Sequence, residues 1–282
     1  MNNNKNGILA DYLSFNEVEF SQACAKELQS EKTWQNFLNI PIIKKSIALK
    51  RQSGLSGDEL RSIKSALFEI RVAHLIHKSG LNAEYEFSSN TDNKKTVDFR
   101  VFGRGLGNKT LLIELSSLRE SQLQKDKTWV DNEWFGCMLD TDGNNDAREY
   151  IRAQSVLIEK ALKFSDALTV NQFNIILLDM RSIILTMSDC HDYYNILYGS
   201  DGLAPHLQRQ IGNKLFEGIF CAAHPEYQKF EHLRETIYCF GFVNEQRYEQ
   251  NELARKIQWL RNPELICNGI PKLKEIFGDY RT

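Results

Sequence analysis

Three acidic side chains stand where the surrounding pattern asks for apolar or neutral ones: Glu69, Asp98 and Glu114. Around Glu69 the chain reads as helix. At about 100° per residue, Ala66, Ile70, Val72, Ala73 and Ile76 fall on its side, while Lys64, Arg71 and Lys78 fall opposite. Glu69 therefore leaves the helix on the face expected to meet a sheet, where a carboxylate is costly unless it is paired, hydrogen-bonded or bound to metal. Asp98 lies in Thr96-Val97-Asp98-Phe99-Arg100-Val101-Phe102, whose period of two puts Val97, Phe99 and Val101 on one face and Asp98 with Thr96 and Arg100 on the other. Glu114 interrupts the apolar run Leu111-Leu112-Ile113-Glu114-Leu115 and shares its face with Ser116. Acids on consecutive strands joined by a short hairpin come close together, and their like charges resist joint ionisation unless a cation neutralises them. A hard divalent ion with oxygen ligands, Mg²⁺ or Mn²⁺, suits such a set.

The elements that would carry these residues are legible from period and punctuation. Helices are expected over Asn16–Leu28 and Glu31–Leu38, and a long one over Asp58–Lys78, opened after Ser53-Gly54-Leu55-Ser56-Gly57 and stopped by Ser79-Gly80. Strands follow over Asn82–Phe87, Thr96–Phe102 and Thr110–Leu118. A polar stretch, Arg119–Asn145, is long enough to be functional or mobile. Helix resumes over Ala147–Ala167, and Phe173–Met180 reads as a buried strand. Further on, a helix is expected over Pro205–Glu217 and a strand over Thr236–Val243. The fold class is α/β, a mixed central sheet flanked by helices. The organisation is an N-terminal helical segment, 1–57, and an α/β domain, 58–282, with its core in 58–180 and a C-terminal extension in 181–282. That extension either lengthens the sheet or forms a homodimer surface.

An acid-bearing helix, a strand with Asp, a hairpin and a strand with Glu two residues before a final motif position resembles the PD-(D/E)xK nuclease superfamily. That superfamily includes restriction, repair and phage-defence enzymes. The matching residues are Phe68-Glu69-Ile70-Arg71-Val72-Ala73, Thr96-Val97-Asp98-Phe99 and Leu112-Ile113-Glu114-Leu115-Ser116. Val97 replaces the motif proline, and Ser116 stands where lysine is usual. The resemblance implies a restriction-endonuclease-like core and Mg²⁺- or Mn²⁺-dependent hydrolysis of phosphodiester bonds in DNA. It implies that Asp98, Glu114 and the Leu115 carbonyl hold the metal, with Glu69 contributing directly or through water. Ser116 cannot supply the motif's positive charge, so a cation from a neighbouring element is expected, with Lys94, Lys95, Lys160 and Lys163 as candidates and Lys95 taken first. The alternative is a catalytically degenerate fold that binds nucleic acid or protein. A structural reading of the same acids pairs them with Arg71, Arg100 or Lys95.

Bulk properties set outer bounds. The 282 residues are 42% hydrophobic and 26% charged, as in ordinary globular chains, and no apolar run is of membrane-spanning length. The opening MNNNKNGILADYL lacks a basic flank and apolar stretch, and the six cysteines form no CxxC pair, so a cytoplasmic protein with reduced thiols is expected. A net charge of -2 provides no global attraction for a polyanion, which leaves any nucleic-acid contact to a local groove. Gly103-Arg104-Gly105-Leu106-Gly107 lies between two strands and reads as a hairpin turn, not a phosphate loop. His74 and His77 read as satisfied core residues. Trp129, Trp134 and Phe135 would either stack on a substrate or pack on the domain surface.

Overall fold

The long helix is fixed at both ends by its own sequence. Ser56 caps it: its hydroxyl accepts from Glu59 N at 3.2 Å, and the Glu59 carboxylate accepts from Ser56 N at 2.9 Å, a reciprocal capping box. At the other end Gly80 takes φ +66°, and the N–H groups of Gly80 and Leu81 close onto His77 and Ile76, a Schellman stop that only a residue free of Cβ adopts without strain. In the computed structural model, the described residues are 15–50, 55–88, 96–119, 128–131, 134–137, 145–161, 163–164, 171–183, 190–199, 202–203, 238–243 and 257–261.

Before this helix come α1 (Phe15–Leu28), a 3₁₀ turn (Lys32–Trp34), α2 (Gln35–Leu38) and α3 (Pro41–Ile47); the long helix is α4 (Gly57–Lys78). Then follow β1 (Asn82–Ser88), β2 (Thr96–Phe102), β3 (Thr110–Arg119), β4 (Thr128–Asp131), β5 (Trp134–Cys137), α5 (Asn145–Ala161), β6 (Gln172–Ser182), α6 (Cys190–Tyr198), β7 (Tyr238–Val243) and β8 (Ile257–Arg261). Among the described residues the main sheet has six strands in the order β1-β2-β3-β6-β7-β8, and β4 and β5 form a separate hairpin. The meander β1-β2-β3 is antiparallel; β6 lies parallel to β3 and β7 parallel to β6, while β8 returns antiparallel. The sheet is mixed, and the C-terminal strands lengthen it.

Helices cover both faces. On one side Phe99, Val101, Ile113, Leu115, Ile175 and Leu177 pack against α4 and, beyond it, α1 and α3. On the other, Leu112, Ile176 and Leu178 pack against Leu157 and Ala161 of α5 and Ile196 of α6. Strand β6 has apolar side chains buried on both faces, which is why it reads as an unbroken hydrophobic run. α4 is itself an interior helix: Arg71, on the side opposite Glu69, is buried with its guanidinium 4.8 Å from the Phe20 ring centroid of α1. α5 is tied to the end of β3 by the Arg152 guanidinium, which bridges buried Glu149 and the Arg119 carbonyl. It is tied to α6 by Tyr150 Oη donating to Asp192 at 2.7 Å. Among the described residues no helix is long and apolar enough to cross a membrane.

Simple strand alternation breaks at one place, beside Asp98. Val97 does not pack with Phe99 and Val101; it joins the core under α5, and Phe87 packs there too, although Tyr85 packs on the α4 side. Between Tyr85 and Phe87 lies Glu86, with φ +51°, and opposite it lies Asp98. The pairing on either side, Tyr85↔Phe99 and Phe87↔Val97, keeps one register, so no residue is inserted. The left-handed backbone at Glu86 instead accompanies an exchange of faces in both strands. Such a conformation costs about 1–2 kcal/mol at a residue with a side chain. Glu86 is exposed, so Glu86→Gly is expected to raise stability by about 0.5–1 kcal/mol, read from the urea midpoint. A lower midpoint would mean that the Glu86 side chain itself maintains the exchange.

Candidate functional site

Where the strands exchange faces, β2 also leaves β3. Their ladder runs from Val101↔Leu111 to Phe99↔Ile113 and goes no further. The next acceptor for β3 is a side chain: Asp98 Oδ2 takes the Leu115 N–H at 2.6 Å. The Asp98 carboxylate thus stands in for the missing backbone carbonyl, beside the residue that follows Glu114. This differs from plain alternation, which put Asp98 outward with Arg100. Arg100 does face outward, bonded to Glu84 at 3.2 Å and lying over the Phe87 ring.

Glu114 has no exposed surface. Parity puts it on the α5 side with Leu112, and from α5 and the turn after it two ammonium groups reach its Oε1: Lys160 at 2.9 Å and Lys163. Burial works against the Lys160 ammonium, but the Glu114 charge and hydrogen bond outweigh it and hold the Lys160 pKa above its ordinary value. Glu114 Oε2 is buried and accepts no hydrogen bond among the described residues. Glu69 approaches from α4 on the other side, half-buried, with Oε2 accepting from Tyr85 Oη at 2.8 Å.

The acids act on one another. Burial, then the Glu114 charge, push the Asp98 carboxyl up to about 6, against the pull of the Leu115 N–H. Burial, then the Asp98 charge, push Glu69 up to about 7, opposed by the Tyr85 hydrogen bond. Glu69, Asp98 and Glu114 are therefore brought into one electrostatic cluster. Ser116 is half-buried two residues along β3. Lys95 and Lys94 lie outside the described residues. Of the four candidate cations, Lys160 and Lys163 meet the buried carboxylate. Tyr85 is a side chain of the site that the sequence reasoning missed; its parity with Ala83, on the apolar face of β1, was the available signal.

The donors fit a hard divalent ion in kind: carboxylate oxygens, the Leu115 carbonyl, and in Glu114 Oε2 a buried oxygen with no partner. Among the described residues no three of His, Cys, Asp and Glu are grouped so that together they could hold a metal ion. Mg²⁺ does not require such a group, since it keeps several waters and is commonly held by one or two carboxylates. His74 bonds Glu27 at 3.1 Å, and burial pushes the Cys24 thiol up to about 12, leaving it inert at neutral pH. The glycines at 103–107 flank a 3₁₀ turn, Arg104–Leu106, joining β2 to β3, as expected of a hairpin.

The electrostatics of the cluster can be tested through stability. A carboxyl whose pKa is raised on folding binds its proton more tightly in the folded state, so stability is lost as pH rises from the unfolded value through the folded one. Glu69→Gln is expected to raise the melting temperature at pH 8 relative to the parent and to lose that advantage near pH 4.5; an equal shift at both would remove Glu69 from the cluster. Replacing both Lys160 and Lys163 by Met leaves Glu114 buried without a counter-charge, at a cost of about 3–5 kcal/mol. Adding Glu114→Gln to that variant is expected to recover most of the loss in chemical denaturation.

No known protein family, curated protein or solved structure matches this chain.

Proposed function

We propose that this protein is a metal-dependent phosphodiesterase of the PD-(D/E)xK nuclease type, acting on DNA. The observation that carries the reading is that, where β2 leaves β3, Asp98 bonded to the Leu115 N–H feels the charge of Glu114, which keeps one buried unpartnered oxygen and meets two lysines on the other. The order α4-β1-β2-β3-α5-β6, interrupted only by the β4–β5 hairpin after β3, with an antiparallel meander and a parallel return, supports a restriction-endonuclease-like core around them.

Asp98, Glu114 and the Leu115 carbonyl would hold Mg²⁺ or Mn²⁺, with Glu69 supporting the site. Bound there, the ion supplies a lowered pKa for an attacking water and charge stabilisation at the phosphate. The protein's own groups do the rest. Asp98 and Glu114 provide the negative charge that selects a cation. Lys160 and Lys163 take the place of the motif lysine that Ser116 cannot fill, offering positive charge to the developing phosphorane oxygens. Because Asp98 and Glu69 hold their protons up to about pH 6 and 7, metal binding should strengthen as pH rises through that range.

A second reading has its own support: Glu114 Oε1 is already claimed by two lysines, and a neutralised carboxylate needs no metal. On that reading the fold is a binding module. Incubation with supercoiled plasmid and single-stranded DNA in Mg²⁺, Mn²⁺ or chelator separates the two. Cleavage with metal, reduced about 100-fold or more in Asp98→Asn and Glu114→Gln, is the expected result. An intact substrate with every metal, together with no metal-induced thermal shift, would leave the binding module standing.

A further inference from the structure

The N-terminal helices do more than cover α4. From the 3₁₀ turn and α2, Trp34 and Phe37 enter the core beside β1 and β2 and form an aromatic cluster with Phe99 and Tyr85. The Tyr85 ring is held between Phe37, at 4.9 Å between centroids, and Phe99, at 5.4 Å. Phe37 is also packed on Phe99 at 5.8 Å, and Trp34 on both at 6.1 and 6.3 Å. Trp34, Phe37 and Phe99 are buried, so the tilt of the Tyr85 ring is set on two sides by rings that have little freedom. From that fixed ring the hydroxyl projects to Glu69 and donates to Oε2.

We propose that Tyr85 is a positioning residue for Glu69, and that Trp34 and Phe37 of the N-terminal helices set Tyr85. The inference rests on the metal-dependent reading of the site. A glutamate has three side-chain torsions, and freezing them costs conformational entropy. The Tyr85 hydrogen bond meets that cost before substrate arrives. It commits one carboxylate oxygen, Oε2, and leaves Oε1 outside that bond, in a group that feels the Asp98 charge. Tyr85 touches neither substrate nor reacting atoms; it acts through Glu69. The aromatic cluster thereby makes the segment before α4 part of the site's support, although it lies outside the α-β-β-β-α-β order.

Tyr85→Phe keeps the ring and removes only the hydroxyl. In the full chain with Mn²⁺ and DNA, kcat is expected to fall about tenfold with KM for DNA unchanged, the size of effect expected from losing one hydrogen bond of about 1.4 kcal/mol. In a Glu69→Gln background the same change is expected to do nothing further, because the residue it acts through is already altered. Phe37→Leu, which removes one wall of the Tyr85 slot, is expected to lower kcat in the parent and to leave the Glu69→Gln enzyme unchanged. Full additivity of Tyr85→Phe with Glu69→Gln would overturn the proposal in favour of a merely structural tyrosine, as would an unaltered kcat in Tyr85→Phe. If the parent cleaves and only Tyr85→Phe is silent, the positioning role fails alone. If the parent neither cleaves DNA nor binds Mn²⁺ in calorimetry, the functional reading fails and takes the positioning role with it.

Discussion

Glu114 lies without exposed surface in the middle strand of the β2-β3-β6 neighbourhood, and a carboxylate there demands positive charge or a proton. The chain answers with Lys160 and Lys163, delivered from α5 and the turn that follows it. Much of the second core is arranged so that this delivery is possible. α5 crosses from β3 to β6 over that face of the sheet, Leu157 and Ala161 seat it on the strands, and the Glu149–Arg152–Arg119 bridge secures it to the end of β3. The two ammonium groups satisfy one carboxylate oxygen only. The other is left buried and unbonded among the described residues, an arrangement that folding alone does not favour.

Fold and site meet again at Glu86 and Asp98. If β2 continued its alternation, Asp98 would face outward with Arg100, and Leu115 N–H would need a backbone acceptor. The exchange of faces at these two positions turns Val97 and Phe87 toward α5 and frees Asp98 to replace that acceptor. One irregularity thus accounts for the end of the β2–β3 ladder, the second core's capture of Val97, and the proximity of Asp98 to Glu69 and Glu114. Its energetic cost is local backbone strain, at a place where charges are also crowded.

The long helix, the meander and the parallel return were legible because each carries its own period and its own punctuation: the Ser56–Glu59 box, Gly80, the glycines around 103–107. The three acids were legible for a related reason, since each breaks an apolar period. What escaped the sequence depends on contacts between distant segments. Alternation cannot register the turn of Val97, because the signal is a backbone angle at Glu86 in another strand. That Lys160 and Lys163 reach Glu114 depends on α5 running across that face, while Lys94 and Lys95 lie outside the described residues. α3 was missed although Pro41 at its first turn is a recognisable start, and α6 and β8 are too short for periodicity to decide. The β4–β5 hairpin was hidden within a stretch whose polarity reads as loop.

A cation carried by a helix is held differently from one carried by the strand. A lysine at position 116 would sit on the same face as Glu114, about 7 Å along the strand, and its placement would follow from β3 alone. Lys160 and Lys163 are placed by the docking of α5 instead, and that docking rests on the core under it and on Tyr150–Asp192 and Gln154–Ile196 contacts with α6. The positive charge beside Glu114 is thereby coupled to a whole helical layer rather than to one residue of β3. The acid on the opposite side is coupled in the same way, Glu69 through Tyr85 to Phe37 and Trp34. The two helical layers therefore hold opposite halves of the cluster, and Asp98, bonded to the β3 backbone between them, is the member fixed by the sheet itself.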